Sequence, residues 1–555
     1  MDLEAEERAL GNWPRRLLHV PTLMSHEWQP GNIYRDISSP PYNAITYTWG
    51  RYRLAKTERP DIQAVPITIN GSDWEIPRVH DDHFCKQDFE KAIHMAGTYT
   101  SSEESDHPVE FLWLDVACID QRSWEPRSAA EIGRQAVIFN GARSVFVWLT
   151  SHDKSQLEHK IIGIGNNNGP EDPDISQIQH MMDLLSDPWF SSLWTLQEAY
   201  FRGNDAILMS RDGAIIEGPT GIKNHPLWYF DCGWLCQVGT LWFQECTRIL
   251  SDGTAADLES YQNFIDVLMK RGLYHIDIRN ELAMYDAIQN RVTSFPEDRI
   301  YGIQQIYGLR VGKSAISAAG KYFTLTEVED QFGEQMLQNF PVLSQCHRFM
   351  THVPAAKRWR FRKEALMVLA SPMAEAQATR QQAEKNQLCS FWVDHNQPDN
   401  KPVFWRGPTA SLRALKCAMD HLLTEDVFLR LITPPKCLSE SHEGGMLRVI
   451  LDHADEISNL NDLGDTTMVE IYEGLERCYP NEELKVLVIG SSFSNDVGPM
   501  FGILLVRGSG NDWARLGTCH WSVPIWAGLE DEKILCLQGY GEIWKERQGI
   551  FGYFG

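Results

Sequence analysis

The residues best suited to chemistry lie in one aromatic stretch, residues 187–198, which reads Asp-Pro-Trp-Phe-Ser-Ser-Leu-Trp-Thr-Leu-Gln-Glu. Asp187 is a good helix N-cap and precedes a proline, which fits the first helical position, so the stretch is predicted to be helical. Helical spacing then places Ser191, Trp194 and Glu198 along one face. A carboxylate one turn beyond an indole is partly removed from water, which raises its pKa and strengthens its hydrogen bond to a ligand. Glu198 is therefore the candidate catalytic residue.

The same pattern has a purely structural interpretation. Both Trp residues of the stretch can be core residues, and Glu198 can cap a helix or pair with an Arg, because structural ion pairs perturb carboxylates as well. The choice between the two interpretations depends on the elements that hold the stretch in place and on the residues that those elements bring to it.

Strand and helix patterns alternate over about the first 215 residues, which predicts an α/β domain with a mostly parallel sheet flanked by helices. The first 40 residues predict a short amphipathic start and then loop. Asn70-Gly71 predicts a β-hairpin over residues 65–76. Residues 151–180 predict an insertion loop around at most one short helix. The predicted strands are residues 44–47, 111–119, 144–149 and 205–210, and the predicted helices are residues 79–98 and 126–140.

In mostly parallel sheets, ligands bind beyond the carboxyl ends of the strands, where the chain enters its helices. Asp115 interrupts an apolar run, and a charge there is costly unless it is paired or faces a cleft. For Asp115 a buried, satisfied carboxylate is the alternative, for Trp49 packing, and for Arg122 a solvated loop. The candidate ligand-binding residues are Thr48, Trp49, Gly50, Asp115, Asp120, Gln121, Arg122 and Trp194.

The remainder of the chain has a different character. Helical patterns continue to about residue 385, and a mixed α+β pattern follows, with strand-like runs at residues 486–489, 501–506 and 534–537. Neither region contains a recognisable catalytic motif. The predicted division is an N-terminal segment (1–40), the α/β domain (41–215), a mainly helical region (216–385) and a mixed C-terminal domain (386–555).

Composition narrows the class of protein. A formal net charge of −24 over 555 residues argues against nucleic acid or an anionic membrane as the main partner. The sequence lacks an apolar run long enough to span a membrane, and its acidic first residues do not resemble a signal peptide. Its 12 Cys are scattered, which predicts reduced thiols in a soluble cytoplasmic protein. Cys232, Cys236 and Cys246 have loose spacing for zinc, and His80, His83 and His94 are interpreted as solvated, so no metal site is predicted.

Four blocks in fixed order resemble the fungal heterokaryon-incompatibility (HET) domain and a block usually found downstream of it. The resemblance covers about residues 40 to 205. The blocks are Tyr42-x-Ala44-Ile45-x-Tyr47-x-Trp49-Gly50; Leu112-Trp113-Leu114-Asp115-x-x-Cys118-Ile119-Asp120-Gln121, continuing through Ile138-Phe139-x-x-Ala142 to Val147-Trp148-Leu149; Pro188-Trp189-Phe190-x-x-Leu193-Trp194-Thr195-Leu196-Gln197-Glu198; and Asp298-Arg299-Ile300-Tyr301-Gly302.

This resemblance implies a role in fungal self/non-self recognition and programmed cell death. The family is also similar in pattern to Toll/interleukin-receptor (TIR) domains. Ser191-x-x-Trp194-x-Leu196-x-Glu198 resembles the helix that carries the catalytic Glu of plant TIR domains, which cleave NAD. The resemblance therefore implies an NAD nucleosidase with Glu198 as its carboxylate and NAD as a substrate, with no separate cofactor.

That chemistry suits a single carboxylate. Cleavage of the nicotinamide–ribose bond passes through an oxocarbenium-like state, and the leaving group is already cationic, so no general acid is required. Glu198 would bind the ribose hydroxyls and stabilise the developing positive charge, while Trp49 and Trp194 would stack on the ligand and Gly50 would admit the backbone close to it. Activity is expected on self-association.

Three positions depart from the family pattern. Asp120 stands where the family usually has Asn, Glu131 where it has Gln, and Ser192 where it has Arg, a planar anion clamp that Ser does not replace. These departures favour an alternative function, in which the domain is a non-enzymatic scaffold that recruits protein partners through its aromatic surface. In a third interpretation the aromatic blocks are simply core.

Overall fold

The structure is a computed structural model of the chain, and its residues divide into two compact units. The first unit contains residues 1–279 and 287–328, and the second contains residues 280–286 and 329–555. The described residues are 2–100, 109–122, 125–165, 173–217, 229–253, 257–278, 281–349, 353–354, 357–363, 365–367, 387, 389–394, 403–407, 409–413, 430–431, 447–451, 474–475, 477–491, 500–507, 512–521 and 550–554.

Helices and strands alternate in the first unit, as the sequence predicts. The strands are β1 (Arg16–His19), β2 (Met24–Glu27), β3 (Ile33–Tyr34), β4 (Ile37–Ser38), β5 (Tyr42–Thr46), β6 (Thr68–Ile69), β7 (Phe111–Trp113), β8 (Val145–Trp148) and β9 (Ala206–Met209). The α-helices among the described residues are α1 (Leu3–Leu10), α2 (Lys86–Thr98), α3 (Asp115–Cys118), α4 (Pro126–Ile132), α5 (Gln135–Gly141), α6 (Lys154–Gly165), α7 (Ile175–Leu184), α8 (Leu193–Arg202), α9 (Cys232–Asp252), α10 (Leu258–Arg271), α11 (Leu273–Ile278), α12 (Glu281–Ala287), α13 (Asp298–Tyr301) and α14 (Leu325–Asn339).

A mostly parallel sheet forms the centre of this unit. Its strand order is β6-β2-β1-β7-β5-β8-β9, and β7, β5, β8 and β9 run parallel to one another. The strands β5, β7, β8 and β9 are buried along their whole length, as expected of parallel strands covered by helices. The predicted α/β class is confirmed, with β5 in the middle of the parallel strands.

The N-terminal segment differs from its prediction. The amphipathic start is confirmed as α1, but the expected loop contains β1 and β2, which pair antiparallel and join the sheet beside β7. Leu17 and Leu18 are fully buried in β1. A four-residue strand has too few residues for its alternation to stand out in the sequence, and burial on both faces removes the alternation altogether.

The prediction of a hairpin over residues 65–76 is wrong. Only Thr68–Ile69 form a strand there, and this strand pairs parallel with β2 rather than with a neighbour across the turn. A type I′ turn needs positive φ at both central residues. Gly71 has φ +76°, but Asn70 is not among the residues with positive φ, so the local turn preference yields to the long-range pairing.

Four further segments differ from their predictions. The strand predicted over residues 111–119 stops at Trp113, and Asp115 opens α3, so Cys118 lies in a helix rather than a strand. Residues 151–180, expected to hold at most one short helix, contain both α6 and α7. The predicted helix over 126–140 is divided into α4 and α5 at residues 133–134. The predicted helix over 79–98 begins later, at Lys86.

The second unit contains strands as well as helix. The strands are β10 (His347–Phe349), β11 (Ala365–Met367), β12 (Ser390–Val393), β13 (Val403–Gly407), β14 (Thr409–Ser411), β15 (Arg430–Leu431), β16 (Leu447–Leu451), β17 (Leu484–Ser491), β18 (Met500–Arg507), β19 (Asp512–Trp521) and β20 (Ile550–Phe554). A sheet of order β12-β13-β20-β19-β18-β17-β14 runs through it. The strand-like runs at 486–489 and 501–506 are confirmed, and the run at 534–537 lies outside the described residues.

None of the helices that the structure describes combines the length and apolar character of a membrane span.

Candidate functional site

The stretch that carries Glu198 is not one continuous helix. Residues 188–191 form a 3-10 turn, Ser192 is extended with ψ 140°, and α8 begins at Leu193. Asp187 does cap the turn, since its Oδ1 accepts the Trp189 N–H at 2.8 Å and its Oδ2 accepts the Ser151 N–H at 2.8 Å. The break at Ser192 rotates Ser191 away from the helical register that joins Trp194 to Glu198, so the predicted three-residue face is wrong.

Glu198 is buried at the carboxyl end of β5. The Thr46 hydroxyl, from the last residue of β5, donates a short hydrogen bond to Glu198 Oε2, and the Trp189 indole Nε1 donates to Thr46 Oγ1 at 2.9 Å. Across the described residues Glu198 has no ion pair with a Lys or Arg. Burial, and secondarily the charge of Asp115, raise the pKa of Glu198 to about 8, against the opposing effect of the Thr46 hydrogen bond. The side chain is thus an uncharged acid close to its titration point at neutral pH.

Asp115 is the second carboxylate of this region. Trp49 Nε1 donates a short hydrogen bond to Asp115 Oδ2, and the Val116 N–H donates to Oδ1 at 2.7 Å. Burial raises the pKa of Asp115 in spite of these bonds. The Tyr47 ring is buried beside it, and burial and the neighbouring Asp115 carboxylate raise the pKa of that phenol well above its usual range. The structure therefore brings Thr46, Trp49 and the two carboxylates together.

A buried histidine fixes the loop that follows β5. His83 Nε2 lies 2.6 Å from the Thr48 carbonyl oxygen, its Nδ1 lies 3.3 Å from Thr150 Oγ1, and its ring stacks on Tyr52 at 3.7 Å. Burial lowers the pKa of His83 to about 4, so the ring is neutral at physiological pH. The prediction that His83 is solvated is wrong. At Gly50 an added Cβ would meet no atom within 4 Å, so space is open beside this turn.

The cysteines and histidine that were considered as metal ligands fall into two groups. Cys232, Cys236 and Cys246 are all buried on α9, with 4.0 Å between the first two sulfur atoms. His80 lies with Asp81 and Asp82 in a group whose ligand atoms fall within 4.8 Å of one another, but His80 is partly exposed and Asp81 is already paired with Arg59. A cleft of about 280 Å³ lies nearby, lined by residues that include Asp61, Val65 and Cys85. It does not include Glu198.

The residues of this site lie in a segment that matches a known protein family. Residues 42–198 match the family model described as heterokaryon incompatibility protein (HET). Residues 42–198 therefore form a segment that resembles a HET domain. The match begins at the first residue of β5 and ends at Glu198, so it spans Thr46, Asp115 and the buried carboxylate. Neither the curated proteins nor the solved structures that were searched contain a match to the chain.

Strands β1 and β2 extend the sheet of the HET domain beyond the matched residues. Downstream, the block Asp298–Gly302 packs against it, since Trp194 Nε1 donates to Asp298 Oδ2 at 3.3 Å. Thr293 Oγ1 donates to the same carboxylate oxygen at 3.0 Å. Trp194, expected to stack on the ligand, thus makes its polar contact with this downstream block.

The remaining predicted site residues lie apart from Glu198. Asp120 and Arg122 bind each other, with Arg122 Nε 2.9 Å from Asp120 Oδ1, and Arg122 Nη1 also donates to Asp73 at 2.8 Å. Gln121 Nε2 donates to the backbone oxygens of Asp115 and Ile119. These residues follow α3 instead of leading directly out of β7, because the strand ends earlier than predicted. Their role in ligand binding stays a prediction.

Sequence reasoning missed Thr46 and underrated Trp189. Thr46 is the last residue of a buried strand, where a β-branched residue is common for packing alone. Trp189 is 1% exposed, and only the pairing of its indole with Thr46 separates it from the other core Trp residues. The β5 block contained one indication of this, because alternation along the strand puts Ala44 and Thr46 on one face. It did not identify Glu198, 152 residues away, as the partner of Thr46.

Proposed function

We propose that this chain is a heterokaryon-incompatibility effector whose TIR-like HET domain triggers programmed cell death by cleaving NAD at the nicotinamide–ribose bond. One observation carries the proposal. Glu198 is buried without an ion-pair partner among the described residues and holds a pKa of about 8. Structural carboxylates at such depth are usually paired, because an unpaired buried charge costs several kcal/mol. The match to the HET family supports the incompatibility role.

A carboxyl group of this kind suits a cationic substrate. The nicotinamide ring of NAD is positively charged, and an opposite charge nearby favours the ionised carboxylate. In the reaction the bond between ribose C1′ and the ring nitrogen breaks, and its electron pair stays on that nitrogen. The oxygen of water then bonds to C1′ and releases a proton.

Glu198 would stabilise the positive charge that develops on the sugar. A pKa near the working pH also suits acceptance of the proton from the attacking water. Thr46 is a positioning residue, since its hydroxyl holds the carboxyl group through a hydrogen bond while the Trp189 indole holds Thr46. The stacking role of Trp49 and the approach of substrate at Gly50 belong to the same proposal.

The direct test is nicotinamide release from NAD by the purified full chain, measured over a series of protein concentrations that also reveals whether self-association is required. Glu198→Gln should lower turnover by about 100-fold or more, the loss typical when one group that stabilises transition-state charge is removed. Glu245→Gln is the matched control, because Glu245 pairs with Arg248 at the surface of α9. Unchanged turnover in Glu198→Gln would remove this residue from the chemistry.

A second candidate function is recruitment of a protein partner by the HET domain. It is favoured by two exposed apolar residues beside the start of α8. Val292 is 50% exposed and Phe295 is 61% exposed, and Val292 bridges to Ser192 through its backbone. Cell death that persists in Glu198→Gln and disappears in Phe295→Ser would favour this candidate.

A further inference from the structure

Three arginines gather around the start of α8: Arg51, Arg271 and Arg291. In the part of the chain that the structure describes, none of them has a carboxylate within ion-pair distance. Two other buried arginines, Arg15 and Arg134, each lie within 3.4 Å of the Glu131 carboxylate. Arg is seldom buried without a carboxylate partner, and Arg291 is buried and Arg271 half-buried, so this cluster needs an explanation.

Arg291 forms the buried base of this arginine cluster. It is 2% exposed, and its Nη1 donates to the backbone oxygens of Ser192 at 3.0 Å and Trp189 at 3.3 Å. Its Nη2 donates to the Arg271 carbonyl oxygen, and its Nε is buried without an acceptor among the described residues. Burial, and next the charge of Arg271, lower the pKa of Arg291 to about 9, so the side chain is still charged at neutral pH.

Arg271 and Arg51 are the more exposed members of the cluster. Arg271 is half-buried, its Nε is buried, and its guanidinium meets no hydrogen-bond acceptor in the described residues. Arg51 is exposed, and its Nη2 donates to the Pro188 carbonyl oxygen at 2.6 Å and to Ser191 Oγ at 2.9 Å, while its guanidinium carbon lies 5.4 Å from the centre of the Tyr52 ring. The charge of Arg51 also acts on Arg271 and disfavours its charged form.

The backbone adds positive potential at the same place. The start of α8 presents the positive end of the helix dipole, and the Ser192 side chain makes no cap hydrogen bond there. Like charges held this close repel one another unless an anion lies between them. Planar guanidinium groups bind phosphate oxygens through paired hydrogen bonds, which fits an oxyanion better than a chloride ion.

We propose that Arg51, Arg271 and Arg291 form a binding site for a diphosphate group at the start of α8. Three guanidinium charges match the charge of a diphosphate better than that of a single carboxylate. The ligand class is therefore a small molecule with a diphosphate, either free or as part of a nucleotide. The site stands independently of the catalytic role of Glu198, which belongs to a different turn of α8.

Inorganic pyrophosphate is the probe, titrated into the full chain by calorimetry at low and at high salt. Arg271→Gln and Arg51→Gln should each weaken binding by about tenfold or more, because each removes charge-assisted hydrogen bonds. Arg8→Gln, an exposed position on α1, is the matched control and should bind like the parent chain. Glu198→Gln should bind normally too, which separates this proposal from that of NAD cleavage.

Thermal unfolding supplies the second measurement. Without pyrophosphate, Arg271→Gln should melt at the same or a higher temperature than the parent chain, because it relieves repulsion. Pyrophosphate should raise the melting temperature of the parent chain and much less that of the variant. A lower melting temperature of Arg271→Gln without ligand, or equal pyrophosphate affinity in both arginine variants and the parent, would overturn the site.

Discussion

Two buried glutamates of the first unit, Glu131 and Glu198, differ in the groups that contact their carboxyl oxygens. Glu131 is 1% exposed and lies within 3.4 Å of the guanidinium groups of Arg15 and Arg134. It also accepts the Arg15 backbone N–H at 2.8 Å. Glu198 has the Thr46 hydroxyl instead, and no cation among the described residues. The charge of Glu131 is thus balanced by two guanidinium groups. The Glu198 carboxyl group has no such balance among the described residues, so its ionisation depends on any charge that is brought to it.

Burial raises the pKa of both carboxyl groups, but what opposes burial differs. For Glu131 the opposing effects are the charges of Arg134 and Arg15. For Glu198 the only opposing effect is one neutral hydrogen bond, and a second acid, Asp115, adds to the rise. The same residue type is buried twice in one unit, 1% exposed at Glu131 and 9% exposed at Glu198, and only Glu131 has cations beside it among the described residues.

The largest expected effect on stability comes from the paired glutamate. Glu131→Ala would leave Arg15 and Arg134 buried and charged, and should lower the free energy of unfolding by about 3–5 kcal/mol. Urea unfolding followed by Trp fluorescence measures it. Glu198→Gln, which replaces an uncharged acid by an amide of the same shape, should change stability far less below pH 4.5, where the unfolded chain keeps the proton of Glu198 as well. Equal losses for the two variants would erase the distinction between them.

Removal of the positioning hydroxyl should have an intermediate effect. Thr46→Val leaves the Trp189 indole N–H and the Glu198 carboxyl group without their partner, and should cost about 1–3 kcal/mol of stability. The loss of that hydrogen bond should also raise the pKa of Glu198 further, so the pH profile of nicotinamide release should move to higher pH.

Thr46→Ser restores the hydroxyl and serves as the control. It should return the pH profile towards that of the parent chain. A profile that stays unchanged in Thr46→Val would mean that this hydroxyl does not act through Glu198.

Taken per pH unit, the smallest effect is a pH dependence specific to Glu198. The folded pKa is raised from 4.5 to about 8, so between these values the unfolded chain loses a proton that the folded chain keeps. The stabilising contribution is full below pH 4.5 and is lost as the pH rises towards 8, by at most roughly 1.4 kcal/mol per pH unit.

Glu198→Gln does not titrate and avoids this loss. The difference in unfolding free energy between the variant and the parent chain should therefore increase from pH 4.5 to 8 and level off above it. Urea unfolding at a series of pH values measures the difference, and titration of other groups cancels in it. A flat difference would contradict the raised pKa.

Much of the fold follows from local patterns. The strands β5, β8 and β9 and the helices around them were predictable, because each combines a sufficient apolar run with clear boundaries. Other elements depend on distant partners. Asn70-Gly71 has a strong turn preference, yet Thr68–Ile69 pair with β2. Strand β1 is recognisable only from its place between β2 and β7.

The candidate site divides in the same way. The identity of Glu198 and its position one turn beyond Trp194 follow from the sequence, because helical periodicity is local. Asp120 and Arg122 were predicted to face the ligand, but the early end of β7 leaves them paired with each other. The sequence could not predict that pairing, because it depends on where the strand stops.

The sequence by itself determined the class of the domain, its mostly parallel sheet and the acidic residue on which the proposed chemistry depends, since each is written in short-range spacing. Only the tertiary structure decided the partners of that residue and of the arginine cluster. Thr46 reaches Glu198 across 152 positions of sequence, and Arg51 is brought to the start of α8 from the loop after β5. Whether a buried charge meets an opposite charge is a property of packing, because the energies that decide it act through space rather than along the chain.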